Sequence, residues 1–464
     1  MVTIHLDGDK LEPDKGSTLG SVLKHHPPDC AVAIIRPATQ EQAKTESIAI
    51  STTAGQITVE LTGDHAAFLE SPSLVPQLVL HWQDRYAAAF GPFPSDLDPQ
   101  RKTHLYERGD VILGCGGYDP GRSYLTFSKT RHSADHGADK SGGVIGTVVS
   151  GRGVLDRWTS GDRVTKIEPV ISWADTSRSF TTTDSSLVLE EGMQVVTRVT
   201  VMAQGFSREK ITTEAAETVE HMLLALQSGR FVVDRATSTH IADLRRAETD
   251  VSAEYRHPRR EGAVTVRTKG KAAGGIFFYR TDVPSSLVHS IVGQVVQGIE
   301  LVRLAREHDV LQVDVQPQRI DLLGLPIVKA KEIAAIRGFT LVLDKDVGER
   351  IVVSQEPGTT LDVLAERKVT VTTAPLEKVI DIELDDAHAP ASCAIFRKVT
   401  GLVEHDAGML PVFFKFDDVV MFKPDIPVGI KINPENAPVD EAPAAGLAIT
   451  NDSRKGAGLV GVRL

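Results

Sequence analysis

The residues with the densest chemistry are His132, Asp135 and His136, within Phe-Ser-Lys-Thr-Arg-His-Ser-Ala-Asp-His-Gly at 127–137. Two imidazoles and a carboxylate so close together are a donor set for a divalent metal, and on a helix the i, i+4 histidines would share one face. Ser133 and Gly137 oppose a helix and the Glu of HExxH is missing, so a polar loop facing a partner is the other reading. Cys115 stands between Gly114 and Gly116-Gly117, which allow close backbone approach or positive φ. It reads either as a reactive thiol or as a cysteine buried on a strand. Gly270-Lys271 lacks the spacing of a phosphate loop, and no Ser-His-Asp arrangement is discernible. No cofactor is implied.

Composition bounds what such groups can serve. A chain of 464 residues corresponds to three or more domains. Its net charge of −11 opposes a general nucleic-acid binder, which needs clustered Lys and Arg, and opposes an anionic membrane surface. The cysteines, Cys30, Cys115 and Cys393, form no CxxC pair, which argues against a disulfide framework or a Cys-rich metal site. No apolar run is long enough to span a bilayer, and the start, Met-Val-Thr-Ile-His-Leu, is not a secretory signal, so the cytoplasm is the expected compartment.

The elements that would carry these groups are mainly strands. In residues 1–50, Val2, Ile4 and Leu6 alternate with polar residues, Asp7-Gly8-Asp9 makes a turn, and Ser17 or Thr18 caps a helix bearing Leu19, Val22 and Leu23. This is how a β-grasp module begins, a fold that assigns no function by itself. Beyond it lies a repeat: Val-Ile-Gly-Thr-Val-Val-Ser-Gly at 144–151 matches Ile-Val-Gly-Gln-Val-Val-Gln-Gly at 291–298. Each copy is followed by an apolar pair (Val154-Leu155, Leu301-Val302) and then an Asp (Asp162, Asp309), and preceded by a related strand (127–130, 278–281). A weaker match links 57–61 to 380–384, both alternating as half-buried strands. A helix is expected after Thr213, with Val219, Met222, Leu223 and Leu226 on one face and Gly229 at its end. Residues 319–375 mix short helix and strand, and 434–445 read as an exposed loop.

Gly275-Ile276-Phe277-Phe278, then His289-Ser290-Ile291-Val292-Gly293-Gln294-Val295, then Gly298 and Leu301-Val302, resemble the closing run of cyclophilins. Ile380–Leu384, Ala389-Pro390 and Phe396-Arg397-Lys398-Val399 resemble their opening. Together with 109–121 and 127–137, these segments make the chain resemble the methanogenesis marker protein 3 family over essentially its whole length. The implied architecture is mainly β with α+β modules: a β-grasp-like module at 1–50, tandem cyclophilin-like β-barrels at 51–178 and 179–318, a small PASTA-like α/β insert at 319–375, and a partial cyclophilin-like segment at 376–464. The implied setting is the protein assembly that activates methyl-coenzyme M reductase, with that enzyme and other methanogenesis marker proteins as partners.

The resemblance also implies a chemistry to test. Rotation about an X–Pro bond crosses a barrier of roughly 18–20 kcal/mol, and cyclophilins lower it by positioning and electrostatics alone. By order along the chain, Arg235 takes the place of the catalytic Arg, Phe278 the pocket wall and His289 its rim. The Gln-Gly-Gly stretch expected after the Arg is absent, Val266-Arg267-Thr268 replaces the Met-Ala-Asn stretch, and Pro284 or Ser285 stands for the pocket Trp. Arg267 would bring a charge into an apolar groove. Arg235 therefore reads either as an electrophilic group or as a surface arginine, and Phe278 as pocket or core. The expectation is a non-enzymatic assembly component, with a prolyl cis-trans isomerase as the alternative.

Overall fold

A computed structural model describes residues 1–36, 47–63, 66–69, 71, 73–170, 179–207, 210–380, 382–416, 419–422, 446–452 and 457–463. The chain divides into two compact units, Met1–Arg319 and Ile320–Leu464. Strands dominate both. Among the described residues no helix is long and apolar enough to cross a membrane.

In the first unit, a five-stranded sheet runs in the order Phe180–Thr182, Val32–Ile35, Gln194–Val196, Ile4–Leu6, Asp9–Leu11. Ile4–Leu6 lies parallel to Gln194–Val196 and antiparallel to Asp9–Leu11. Ile4, Leu19, Val32 and Ile34 bury their side chains against Leu189, Met193 and Val195. The N-terminal segment thus completes its core with residues far along the chain, from Leu189 to Val195. Thr18 stands at the N-cap of the short helix Leu19–Val22, with extended backbone and no side-chain capping bond.

Two eight-stranded, curled sheets follow. The first runs Val164–Val170, Ser47–Thr52, Gly55–Leu61, Val144–Ser150, Asp110–Cys115, Ser123–Ser128, Ala87–Phe93, Leu80–Gln83. The second runs Arg230–Val232, Val310–Gln316, Arg198–Ala203, His289–Gln297, Ala263–Arg267, Ile276–Tyr279, His240–Asp243, Arg235–Ala236. The last five strands of each order correspond one to one. The sheets differ at the other edge: Val310–Gln316 pairs parallel with Arg198–Ala203, whereas Val164–Val170 pairs antiparallel with Ser47–Thr52.

The sequence repeat occupies equivalent places. Gly146 sits where a Cβ would meet Glu60 O at 2.7 Å, and Gly293 where it would meet Met202 O at 2.9 Å. Gly151 and Gly298 both take positive φ, 75° and 80°, before a short helical turn. Asp162 accepts from Thr159 N and Asp309 from Arg306 N, each at 2.8 Å, fastening the turn into the final strand. The fixed offset to the Asp is therefore a turn-closing device.

The repeats also meet each other. Arg303 Nε donates to Glu261 Oε1 at 2.7 Å and Arg303 Nη2 to Val149 O at 2.9 Å, while Ser150 Oγ reaches Glu300 Oε1 at 3.3 Å. Burial pushes the Glu261 carboxyl up, against the opposing pull of Arg303. In the first sheet, Phe90, Phe127 and Trp158 form an aromatic centre with ring separations of 4.8–5.6 Å. In the second, the helix Ala216–Ala225 buries Val219, Met222 and Leu223; Glu254 accepts from Thr218 N at 2.7 Å, and Thr213 accepts from Ala216 N at 3.2 Å through its backbone carbonyl.

In the second unit, Thr340–Leu343 and Lys368–Pro375 pair parallel, and Arg350–Glu356 antiparallel to the latter. The helix Ile327–Arg337 precedes these strands and Thr360–Glu366 connects the last two, capped by Thr359, whose hydroxyl accepts from Asp362 N. Residues 380 and 382–384, read from sequence as a strand, carry no strand; Ile382 and Leu384 pack instead against Phe396 and Phe422. Pro390 opens the helix Pro390–Thr400, and antiparallel hairpins follow from Val412–Phe416 to Ala457–Arg463. The segment 434–445 lies outside the described residues.

Candidate functional site

Alternation along Ile276–Tyr279 decides which side chains face the site. Phe278 is fully buried and stacks on Phe231 at 4.5 Å, inside the core. Phe277 and Tyr279 point to the opposite face, because successive strand residues alternate. Phe278 is thus core, and Phe277, one residue earlier, takes the groove side. The sequence held a signal for this parity: a tyrosine needs its hydroxyl near polar company, so Tyr279 marks the wetter face and period two places Phe277 with it.

On that face the register sets His240 opposite Tyr279, Thr265 opposite Phe277, and His289 opposite Arg267. Arg235, from the edge strand, and Arg259, from the loop before Ala263–Arg267, complete a cavity of about 280 Å³. Arg235 and His289 therefore share a groove, and Arg267 lines it too. Arg259 lies over the Tyr279 ring at 4.9 Å, donates to Tyr279 OH at 2.6 Å, and holds Pro284 O at 2.7 Å. No carboxylate lines this cavity among the described residues. Neighbouring acids are engaged elsewhere: Asp243 with Arg245, Glu261 with Arg303, and Asp234 with Leu244 N.

Both imidazoles here are pushed towards the neutral form. Burial first, then Arg259 and Arg267, push His289 down to about 3. Burial, then Arg235 and Arg259, also lower His240. Thr265 Oγ1 lies 3.0 Å from His289 Nδ1, and Thr239 Oγ1 3.0 Å from His240 Nδ1. Sequence reasoning missed Arg259, of which the basic run Arg256-His257-Pro258-Arg259-Arg260 was the faint trace, and read Tyr279 only as part of a repeated strand.

The other candidate, His132/Asp135/His136, lies on the corresponding face of the first sheet. Register pairs Thr126 with Ile112 and Ala89, as Phe277 pairs with Thr265 and Ala242. There a two-stranded ribbon, His104–Tyr106 with His132–Ala134, covers the face. Tyr106 is fully buried, donates to Gly142 O at 3.0 Å, and is pushed up to about 12 by burial. His132 Nε2 lies 3.1 Å from His136 Nε2, and His132 Nδ1 lies 2.9 Å from Thr130 O. Rings of Tyr106 and Trp82 lie 5.2 and 6.3 Å from His136. Burial, then His132, lowers His136 to about 4. Asp135 turns away: it accepts from Tyr118 OH at 2.7 Å and Gly137 N at 3.0 Å. The two histidines converge and the carboxylate does not. Among the described residues no group of three His, Cys, Asp or Glu side chains is arranged to hold a metal. Cys115 is buried, 3.3 Å from Ser123 Oγ.

A UPF0288 protein of Methanosarcina barkeri is 36% identical over 482 residues, an alignment covering 100% of this chain and 90% of the relative. This chain belongs to the UPF0288 family. A UPF0288 protein of Methanothermobacter thermautotrophicus, another methanogenic archaeon, is 30% identical over 482 residues, with 99% and 89% covered. A family model described as a putative peptidyl-prolyl cis-trans isomerase domain matches residues 380–464 of this UPF0288 chain. In that segment Arg397 holds Asp386 through two contacts of 2.6 Å, and His388 Nδ1 lies 3.0 Å from Asp385. Among solved structures, an uncharacterized B. cereus protein aligns over 25% of this chain and 33% of its own at 14% identity, with a TM-score of 0.20.

Proposed function

We propose that this protein is a non-catalytic assembly component of methanogens: a β-grasp-like module and two cyclophilin-like barrels whose equivalent faces contact partners. The observation that carries this reading is the divergence of those faces. One is covered by an aromatic and histidine ribbon; the other is open and holds three arginines. An isomerase needs an apolar seat for the prolyl ring, and unpaired charge in such a seat costs free energy. The strand order of the N-terminal sheet, with parallel central strands, supports the β-grasp reading. The full-length relatives in methanogens support a setting in methanogenesis. The assembly that activates methyl-coenzyme M reductase, with that enzyme and other marker proteins as partners, is the setting we favour.

The second reading, a prolyl cis-trans isomerase, draws on Arg235, Phe277 and His289 lining one groove and on the isomerase-type match at 380–464. Tagged protein used as bait in methanogen lysate separates the two. The assembly reading expects methyl-coenzyme M reductase subunits to co-purify with wild type and with Arg235→Ala alike. Bait recovered alone, together with protease-coupled prolyl isomerisation that disappears in Arg235→Ala, would replace it with the isomerase.

A further inference from the structure

We infer that the open groove of the second large sheet is a binding site for a small phosphate ester. Three guanidinium groups face one cavity without a carboxylate among the described residues. Like charges around a small concave volume repel, and the low-dielectric walls strengthen that repulsion. A dianion supplied from outside relieves it. Phosphate fits the donor set, because the planar guanidinium presents paired N–H groups to two oxygens at once.

The arrangement is built rather than incidental. Arg259 is fixed by the Tyr279 ring and hydroxyl and by Pro284 O. Arg267 is steadied through Nε by Lys269 O at 2.9 Å, which leaves its terminal nitrogens for a ligand. Thr265 and Thr239 hydroxyls engage Nδ1 of His289 and His240, and Nε2 of neither ring has a partner among the described residues. Phe277, Tyr279 and Val283 give an apolar wall for the organic part of an ester, and about 280 Å³ admits one small molecule. The arginines that lower both histidines would be neutralised by the dianion, so ligand and imidazole protonation favour each other.

This inference goes beyond the assembly reading and does not depend on it, since no partner protein enters its test. Purified full-length protein is titrated calorimetrically with inorganic phosphate, phenyl phosphate and benzoate in a buffer free of other oxyanions. Phenyl phosphate is expected to bind more tightly than inorganic phosphate, and benzoate weakly. Inorganic phosphate binding as tightly as the ester would reassign the site to the free ion and overturn the ester. Arg235→Gln and Arg267→Gln should each weaken phenyl phosphate about tenfold or more, since each removes a charge-assisted contact. Arg131→Gln, at an exposed arginine paired with Glu107 outside the groove, should leave binding unchanged. The Arg235 side chain is exposed and has no hydrogen-bond or ion-pair partner among the described residues, so its replacement tests binding without testing folding. Absence of binding by either phosphate, binding untouched in both groove variants, or benzoate binding as tightly as phenyl phosphate would each overturn the proposal.

Discussion

His289 shows what a single buried side chain imposes on the protein. Its folded pKa of about 3 lies below the ordinary histidine value of 6.5. Between those values the unfolded chain binds a proton that the native state refuses, so stability falls as pH drops from 6.5 towards 3. The slope from one such group is about 1.4 kcal/mol per pH unit. Urea denaturation at pH 7, 6 and 5, in a buffer without phosphate, should show wild type losing stability on acidification and His289→Gln losing about 1 kcal/mol less per unit. Equal slopes would mean that His289 titrates normally in the fold. Phe278 gives a second residue-scale outcome. As a fully buried ring stacked on Phe231, it should cost about 3–5 kcal/mol when changed to Ala, measured by denaturation. At this scale the sequence was half legible. Arg235 and His289 were assigned to one groove from their order in the chain, and the structure brings them together. Phe278, which the sequence leaves as pocket wall or core, lies in the core, and Phe277 takes the groove side. Arg259 could not be found, because it reaches the groove from a loop through contacts to Tyr279 and Pro284.

The repeated glycines tie the elements to the pattern. Gly298 has φ of +80°, and a Cβ there would lie 2.1 Å from Arg198 O; at Gly151 the corresponding distance is 2.4 Å to Gln56 O. Backbone strain and a clash with neighbouring backbone therefore coincide. Gly298→Ala and Gly151→Ala should each destabilise the protein by more than about 2 kcal/mol, the left-handed conformation alone costing roughly 1–2. Gly117 has φ of +66° with nothing near its missing Cβ, so Gly117→Ala isolates the conformational cost. Thermal melts of the three variants should rank Gly117→Ala mildest; if all three melt together, the close approach contributes nothing. These positions were legible as a repeat because both copies need the same tight entry into a helical turn. The ribbon that covers the face of the first sheet was not, since His104–Tyr106 and His132–Ala134 are short, irregular in pattern and paired across the intervening strands.

At the scale of the whole molecule, the discontinuous N-terminal sheet was the least legible feature. Strand periodicity locates Ile4–Leu6, but nothing local says that its partner lies at 194–196 or that Val32–Ile35 pairs with 180–182 and 194–196. Pairing between segments so far apart is specified by complementary apolar faces and by terminal contacts. Asp7 accepts from Thr197 N at 2.7 Å, and Ala31 N donates to Val310 O at 2.7 Å, joining this sheet to the second large one. A chain lacking residues 1–36 would leave Phe180–Thr182 and Gln194–Val196 as strands without neighbours and would expose Leu189, Met193 and Val195. Exposed edges and apolar side chains of that kind do not hold a fixed conformation. Limited proteolysis of the shortened chain should therefore cut first within 179–196, where the full chain resists, and its melting temperature should fall. Unchanged resistance there would show that 180–196 is held by the large sheets and that the N-terminal residues add a separate module. Early cleavage would make both segments one structural body, through which a partner bound at the N-terminus could act on the strand that begins at Arg198, two residues beyond Val196.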